Sequence, residues 1–318
     1  DEAARANPLD LFIPMALASR RIVLVGDHFQ LPQMLEPDIE KEMLEGIEAK
    51  NLQDETAKAI RSSLFERLYT QLKEREGKDG IQRTVMLDTQ FRMHPKLGDF
   101  VSRSFYESAV PPEPKIISFF EEDQFDLGIP KYRGKVAEWI DVPFEHGKEK
   151  RVGTSWAREC EALKVAEEVQ TLLLDNPNLS IGVITFFRPQ KELILDELSR
   201  VGVCQKIDAN WEYLPGYQTT KEGQEKIRVG SVDAFQGKEF DVVVLSTVRS
   251  NNYVCKDEKS FIKKYGFIRT PNRLNVAFSR AKSLIKVVGD KKMFSDETAK
   301  IAIPQVWSFI HELCEVHE

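Results

Sequence analysis

The sequence predicts an α/β protein built on parallel sheets. From residue 136 onward, segments rich in Val, Ile and Leu alternate with amphipathic segments of helical period. This alternation is typical of parallel strands that are joined by crossover helices. Strand segments such as Val242–Leu245 are also apolar without interruption. Both of their faces are therefore expected to be buried, as in a sheet that is covered by helices on both sides.

The first third of the chain predicts fewer regular elements. An amphipathic helix is predicted near residues 8–18, followed by a short buried strand at 21–26. Residues 36–76 are rich in charge and have apolar residues at helical spacing, which predicts a helical excursion that ends near Gly77. A second short strand is predicted at Thr84–Leu87.

The regular alternation begins after an irregular connection. Residues 106–135 contain four prolines and several acidic runs, which predict a long loop. Strands are then predicted at 136–141, 180–186, 226–232, 240–247 and 284–289. Helices are predicted at 157–174, 189–200, 272–282 and 303–315. The segments 203–225 and 249–270 are predicted insertions between these elements.

Composition excludes several classes of protein. Hydrophobic residues make up 42% of the 318 residues and charged residues 30%, which is typical of a globular domain. No apolar run approaches the ~20 residues of a membrane span, so no membrane partner is expected. The four cysteines form no CxxC pair, which argues against a zinc site and a disulfide framework and favours an intracellular setting. The net charge of −6 neither supports nor excludes nucleic-acid binding, because a local groove can be basic.

Several polar blocks follow predicted strands or begin predicted helices. The acidic pair Asp1-Glu2 opens the chain, GDHFQLP follows the strand at 21–26, and QFRMHP occupies residues 90–95. The carboxyl ends of parallel strands are where ligands usually bind. Glutamine at such an end can orient a water, and arginine can stabilise charge on a transferred phosphoryl group. Residues of these types at strand ends suit a site that binds a phosphate or a transferred phosphoryl group.

Seven blocks, in order, resemble those of the superfamily 1 helicases. The resemblance is to the branch that contains the RNA helicase of nonsense-mediated decay and its DNA-acting relatives. The matching blocks are DEAA at 1–4, GDHFQLP at 26–32, QFRMHP at 90–95, SFYES at 104–108, GVITFFRPQ at 182–190, VDAFQGKEFDVVVLSTVRSN at 232–251 and NRLNVAFSRAK at 272–282. The resemblance implies RecA-like parallel sheets of the P-loop NTPase fold, with one partial domain (1–80) and one complete domain (81–318).

The resemblance also implies roles in ATP hydrolysis for the first domain. Asp1 matches the carboxylate that holds Mg²⁺, usually through water. Glu2 matches the general base that polarises the attacking water. Gln30 matches the glutamine that senses the γ-phosphate. ATP and Mg²⁺ are therefore the expected cofactors.

The second domain is expected to supply the remaining nucleotide contacts. Arg92 and Arg280 match two arginines that reach the γ-phosphate. An arginine in this role accelerates hydrolysis by roughly 10³–10⁵-fold. Phe91 falls where the family has an aromatic ring against the adenine. Glu239 matches an acid that contacts the ribose, beside Gln236 and Gly237 of a coupling loop. Arg273 lies seven residues before Arg280 on the predicted helix 272–282, where both would share one face, and we expect a structural role for it.

Nucleic-acid contacts are predicted from fewer residues. Thr185 matches a threonine that touches the strand backbone in relatives, and Arg188 follows it at a helix start. Phe186 and Phe187 stand where the family often has Pro-Tyr, so both a ring contact and simple core packing remain open for them. Lys259, Lys263 and Lys264 lie in the second predicted insertion, where a solvated loop is the favoured interpretation.

The phosphate-binding loop GxxxxGK[ST] does not occur in the sequence. The amide groups and lysine of that loop carry most of the β- and γ-phosphate binding in P-loop enzymes. We therefore expect the chain to be a C-terminal fragment whose upstream half carries the loop. Alone, it should hydrolyse ATP negligibly. An intact protein that evolved without the loop is the disfavoured alternative.

The expected function of the parent is that of an ATP-dependent helicase or translocase. The resemblance implies movement from five-prime to three-prime on a single strand of DNA or RNA, which the residues do not distinguish. The alternative is a nucleic-acid- or partner-binding module that has no motor activity. The expected setting is intracellular, and the residues do not distinguish the cytoplasm from the nucleus.

Overall fold

The computed structural model describes residues 2–32 and 63–315, and the chain divides into two compact units, Asp1–Met86 and Leu87–Glu318. The first unit contains helices α1 (Pro8–Ala16) and α2 (Leu64–Asp79). The predicted helix near 8–18 is therefore confirmed. The predicted helical excursion is confirmed over α2, while its part from 36 to 62 lies outside the described residues.

Local sequence sets the ends of both helices. The side chain of Asn7 accepts a hydrogen bond from the Leu9 amide at the start of α1, and Ser63 does the same for Glu66 at the start of α2. Helix α2 continues past Gly77, where the sequence predicted its end. It stops at Gly80, whose φ of 69° is the left-handed conformation that glycine adopts without strain.

The strands predicted at 21–26 and at Thr84–Leu87 are wrong. Both segments have no regular secondary structure, and within the described residues no strand pairs with either of them. Val23 and Leu87 are largely exposed. The apolar composition predicted strands, but a strand needs a neighbour that takes up its backbone hydrogen bonds.

The second unit contains eleven described strands and eight described α-helices. The strands are β1 (Thr89–Gln90), β2 (Ile117–Ser118), β3 (Ala137–Asp141), β4 (Lys150–Val152), β5 (Ser155–Ala157), β6 (Ile181–Thr185), β7 (Cys204–Ile207), β8 (Asn210–Tyr213), β9 (Ile227–Ser231), β10 (Phe240–Ser246) and β11 (Ala281–Gly289). The helices are α3 (Pro95–Val101), α4 (Glu159–Asp175), α5 (Arg188–Arg200), α6 (Glu258–Tyr265), α7 (Pro271–Phe278), α8 (Lys291–Ser295), α9 (Glu297–Ala302) and α10 (Val306–Glu315).

A five-stranded sheet organises this unit, and all of its pairings are parallel. The strand order is β3-β11-β10-β6-β9. Helices α4 and α5 contribute to one hydrophobic cluster with the sheet, in which Val165, Ile194 and Val244 are fully buried. The predicted α/β class with a parallel sheet is therefore confirmed, and the five predicted strands of the alternation are present.

The predicted helix 272–282 is wrong in its last four residues. Helix α7 ends at Phe278, Ser279 and Arg280 form a turn, and β11 begins at Ala281. The Phe240 amide donates to the Arg280 carbonyl at 3.0 Å, so the chain has already joined β10 at this point. Strand pairing therefore ends the helix early, and Arg280 does not share a helix face with Arg273.

The two predicted insertions each carry regular structure. The hairpin β7–β8 lies in the first insertion, and α6 lies in the second. The side chains of Phe186 and Phe187 are buried. For these two residues the structure supports core packing rather than an exposed ring contact.

Candidate functional site

In the first unit, the acidic block and the GDHFQLP block are held together by backbone contacts. The Ala3 amide donates to the Val25 carbonyl at 2.9 Å. Gly26 leaves no room for a side chain, because an added Cβ would lie 2.7 Å from the Ala4 nitrogen. Only glycine permits this close approach of two backbone segments. The approach fixes Glu2 and the residues after Gly26 in one region.

Gln30 is oriented by a neighbour that sequence reasoning missed. The Asp27 carboxylate accepts from the Gln30 side-chain amide at 2.7 Å and from the Phe29 amide at 2.9 Å. The Gln30 amide donates to the Asp27 carbonyl at 3.3 Å. A turn stabilised by its own aspartate is a known local pattern, and the Asp27 position in the block is the signal that could have identified it.

Of the predicted acidic pair, the structure describes Glu2. Glu2 is exposed and has a φ of 59°, a left-handed conformation that is uncommon outside glycine. Asp1 lies outside the described residues. Its assignment as the Mg²⁺ ligand stays a prediction. Within residues 2–32 and 63–315, no three His, Cys, Asp or Glu side chains are grouped to hold a metal ion.

In the second unit, the short parallel pair β1–β2 presents the residues of the QFRMHP block. The Gln90 side chain fixes the turn, because its carbonyl oxygen accepts from the Arg92 and Met93 amides at 2.8 and 2.7 Å. Its amide donates to the Met93 carbonyl and to the Ser118 hydroxyl. One side chain therefore holds both the turn and the neighbouring strand.

This turn exposes an aromatic pair. Phe91 and Phe119 are each 61% exposed, and their ring centroids lie 4.7 Å apart. Phe120 adds an edge-on contact to both rings. Exposed phenylalanine rings that a rigid turn holds can stack with a planar base. Sequence reasoning missed Phe119, although the Phe-Phe run within the irregular connection was a signal for it.

Arg92 and Glu239 form an ion pair beside these rings. The Arg92 Nε lies 2.8 Å from the Glu239 carboxylate, and the exposed fractions of the two side chains are 34% and 50%. The Arg92 Nη1 also donates to the Ser279 carbonyl at 3.3 Å. The structure therefore brings together a predicted arginine and the predicted ribose contact.

Arg280 lies against the same loop but is buried. Its exposed fraction is 1%. The guanidinium donates to the Val276 carbonyl at 3.0 Å, to the Lys238 carbonyl at 3.4 Å and to the Ser279 hydroxyl at 2.8 Å. Arg280 and Arg92 therefore both contact Ser279, and each also contacts one of the adjacent residues Lys238 and Glu239.

The loop from Gln236 to Glu239 contains a glycine in the left-handed conformation and is followed by an anchored aspartate. Gly237 has a φ of 73°, and an added Cβ would meet no atom within 4 Å, so the constraint at this position is the backbone conformation alone. After the loop, the Asp241 carboxylate accepts from the Ser180 amide at 2.9 Å and pairs with Lys282 at 2.7 Å. Although Asp241 is largely buried, these partners lower its pKa.

Arg273 contacts the helical turn that leads into this loop. Its guanidinium lies 3.8 Å from the Asp233 carboxylate and 4.8 Å from the ring centroid of Phe267. These contacts link α7 to the VDAFQGKEFD block. They agree with the structural role that we expect for Arg273.

The predicted nucleic-acid residues lie at the opposite, carboxyl-terminal end of the sheet. Thr185 is the last residue of β6 and is fully buried, so its side chain is not accessible to a nucleic-acid strand in this structure. Arg188 is exposed and lines a groove of about 950 Å³ with Lys150, Lys191 and Arg228. Glu159 and Glu192 also line this groove, and Glu159 pairs with Lys150 at 2.9 Å. The groove has a modest cationic excess.

A buried polar network lies under that same end of the sheet, and sequence reasoning missed it. Arg158 and Glu161 have fully buried side chains that pair at 3.4 Å. The Glu161 carboxylate accepts from the Ser246 hydroxyl at 2.6 Å and from the Val248 amide at 2.7 Å. Burial raises the pKa of Glu161, and the positive charge of Arg158 opposes this rise. The network ties α4 to the end of β10.

Comparison with known proteins assigns the chain to a family. The family described as an AAA domain matches residues 60–292, and a second family of the same description matches residues 1–36. The chain therefore belongs to the AAA-domain family. The relatives of the chain include regulators of nonsense transcripts, the branch that the sequence blocks resemble.

Two curated relatives illustrate this branch. The chain is 31% identical over 299 residues to the regulator of nonsense transcripts 1 homolog of Arabidopsis thaliana, covering 93% of this chain and 20% of the relative. It is 29% identical to the ATP-dependent helicase NAM7 of Saccharomyces cerevisiae, covering 94% of this chain and 26% of that protein. The chain thus spans about a fifth to a quarter of the length of these relatives.

A solved structure of a helicase aligns with most of the chain at low similarity. The structure of the PRRSV helicase aligns at a TM-score of 0.36 and 14% identity, covering 91% of this chain and 34% of that one. Among the described residues, no helix is both long and apolar enough to cross a membrane.

Proposed function

We propose that this chain is the C-terminal motor half of an ATP-dependent helicase or translocase that moves along a single nucleic-acid strand. The first unit is the end of one RecA-like domain, and the second unit is a complete RecA-like domain. The observation that carries the proposal is the convergence of Arg92, Glu239 and Arg280 on Ser279 and the adjoining loop. Two arginines and one acid at a single loop suit a ligand that has a triphosphate and a ribose.

The cluster fits the chemistry of phosphoryl transfer. Such transfer depends on positioning and on stabilising the charge that spreads over the phosphoryl oxygens. Guanidinium groups match these oxygens with fixed forks of donors. Arg92 and Arg280 are proposed to stabilise this charge, Glu239 to accept from a ribose hydroxyl, and Phe91 to stack on the base. Arg280 is buried, so a phosphate reaches its guanidinium only when the residues that cover it move aside.

The first unit is proposed to activate the attacking water. Glu2 is the general base, and Gln30, oriented by Asp27, senses the γ-phosphate. Asp1 is proposed to hold Mg²⁺ through water, which would neutralise charge on the phosphates. The longer protein supplies the phosphate loop that this sequence lacks.

The single nucleic-acid strand is proposed to bind along the carboxyl-terminal end of the sheet in the second unit. The protein is proposed to move along that strand from five-prime to three-prime. Arg188 and the other cations of its groove would contact phosphates of the backbone, a binding mode that carries no sequence preference. Thr185 is buried, so any contribution from its side chain requires a change from the present conformation. Gln236 and Gly237 lie on the chain path between the two ends of the sheet and are proposed to couple them.

An alanine substitution of Arg280 tests the proposed motor function. In the longer protein, Arg280→Ala should lower kcat for strand-stimulated ATP hydrolysis by about 10³-fold, because charge on the γ-phosphate loses a positioned cation. Arg200→Ala is the matched control, since Arg200 is exposed at the end of α5. Hydrolysis that Arg280→Ala leaves unaltered would refute the role assigned to Arg280 in the motor. Hydrolysis should be measured with DNA and RNA strands side by side.

A further inference from the structure

Ser279 lies between the two arginines that the proposed function uses. It is buried and forms the turn between the end of α7 and the start of β11. Its amide donates to the Asn275 carbonyl at 2.9 Å, which closes the last turn of α7. The serine backbone is therefore held by the helix before it.

Each polar group of Ser279 has a defined partner. The carbonyl oxygen accepts from Arg92 Nη1 at 3.3 Å, and the hydroxyl oxygen accepts from Arg280 Nη2 at 2.8 Å. The hydroxyl also lies 3.4 Å from the Val276 carbonyl, to which it donates. A hydroxyl has one proton to donate, so this second contact directs its oxygen lone pairs toward Arg280.

We infer that Ser279 is a positioning residue that sets the geometry of both arginines toward the reacting phosphate. The hydroxyl fixes the orientation of Arg280, and the carbonyl on the same rigid turn receives Arg92. A guanidinium that hydrogen bonds hold in advance loses less conformational freedom when it meets its ligand. The inference rests on the proposed function, because it gives Arg92 and Arg280 a shared phosphate ligand.

Ser279 is distinct from the predicted nucleotide contacts in how it acts. Its hydroxyl is already engaged with Arg280 and Val276. Its contribution therefore passes through Arg280 rather than through a contact of its own with the nucleotide. Loss of the hydroxyl should affect kcat more than KM for ATP, because the orientation of Arg280 matters most when charge develops in the transition state.

The test uses the longer protein and measures strand-stimulated ATP hydrolysis. Ser279→Ala should lower kcat by roughly tenfold with KM nearly unchanged, the scale expected for one lost hydrogen bond to a charged group. Ser279→Thr keeps the hydroxyl and should restore most of the rate. Ser283→Ala removes another buried serine hydroxyl of this unit and should leave kcat near that of the wild type. Thermal unfolding of each variant shows whether it is folded.

A double-mutant cycle separates this role from a general structural one. In an Arg280→Ala background, Ser279→Ala should cause little further loss, because the hydroxyl then has no guanidinium to position. A further tenfold loss in that background would overturn the inference. So would an unchanged kcat for Ser279→Ala, or an equal loss for Ser283→Ala.

The two proposals fail in distinguishable ways. If Arg280→Ala lowers kcat and Ser279→Ala does not, the inference about Ser279 is wrong while the proposed function stands. If Arg280→Ala itself leaves kcat unaltered, the role of Arg280 in the proposed function and the inference about Ser279 both fail.

Discussion

The two ends of the parallel sheet each carry an arginine–glutamate pair, and the pairs differ in burial. Arg92 and Glu239 lie at the end where β10 begins, 2.8 Å apart and partly open to solvent. Arg158 and Glu161 lie near the end of β10, 3.4 Å apart and with both side chains fully buried. The shorter pair is the more exposed one, so distance alone does not indicate which pair stabilises the fold.

Exposure to solvent explains why the two ion pairs should differ in their contribution to stability. An exposed ion pair contributes roughly 0–1 kcal/mol, because water and salt screen it and its side chains lose freedom. A ligand can therefore replace either partner at low cost, which suits a site that exchanges nucleotide. A buried pair with further hydrogen bonds is costly to break, because removal of one partner leaves an uncompensated charge. The Arg158 pair therefore suits a structural role.

The largest expected effect tests this contrast directly. Arg158→Ala should lower the free energy of unfolding by roughly 3–5 kcal/mol, because it leaves the buried Glu161 carboxylate without its ion-pair partner. Arg92→Ala should lower it by no more than about 1 kcal/mol. Denaturant unfolding of this chain measures both values. Equal losses of unfolding free energy in the two variants would show that burial does not determine how much each ion pair contributes to stability.

The buried side chain of His311 provides a second test of how burial affects stability, because its protonation makes the free energy of unfolding depend on pH. His311 stacks on Trp139 at 4.2 Å, and among the residues that the structure describes neither of its buried ring nitrogens has a hydrogen-bond partner. Burial, together with the positive charge of Lys291, lowers the pKa of His311 to about 4, and the negative charge of Asp141 opposes the shift. The unfolded chain takes up this proton near pH 6.5, so the contribution of His311 to stability is lost as pH falls from 6.5 to about 4.

His311→Phe should keep the ring stack and remove the titration. The free energy of unfolding of this variant should fall less between pH 7 and pH 5 than that of the wild type. His146→Phe is the control, because His146 is exposed. An unchanged pH profile for His311→Phe would contradict the expected linkage.

The smallest expected effect concerns the groove at the carboxyl-terminal end. Arg188→Ala should weaken strand binding several-fold and reduce the slope of log affinity against log salt by about one, as expected for one lost phosphate contact. Arg200→Ala should leave the slope unchanged. Binding should be titrated at several salt concentrations with the longer protein. An unchanged slope for Arg188→Ala would remove Arg188 from the proposed strand path.

The success of sequence reasoning depended on whether a signal was local. The five strands of the sheet were predicted because uninterrupted apolar runs require burial on both faces. The segment at 21–26 gave the same signal and is not a strand, because strand formation depends on a partner elsewhere in the chain. The helix through Arg280 was predicted too long for a related reason, since pairing with β10 ends it early.

The candidate site shows the same difference between residue types, which the sequence shows, and contacts between distant residues, which it does not. The sequence blocks identified Arg92, Glu239 and Arg280 by residue type and order, but not their contacts with Ser279 and its neighbours. Phe119 was missed because its role depends on the ring of Phe91 beside it, whereas the turn of Asp27 is local and its sequence signal was overlooked. The network of Arg158, which the sequence shows only as an arginine at a helix start, depends on β10 lying beside α4.

The sequence by itself determined the parallel α/β class, the family and the types of residue that the site offers, because apolar periodicity and ordered polar blocks are properties of the chain alone. Only the tertiary structure decided which charges are buried, where Arg280 leaves its helix and which side chains meet at Ser279. Burial and contact depend on residues that are distant in sequence. Arg92 and Glu239 are an example, because strand pairing and loop anchoring bring them within 2.8 Å although 147 residues separate them.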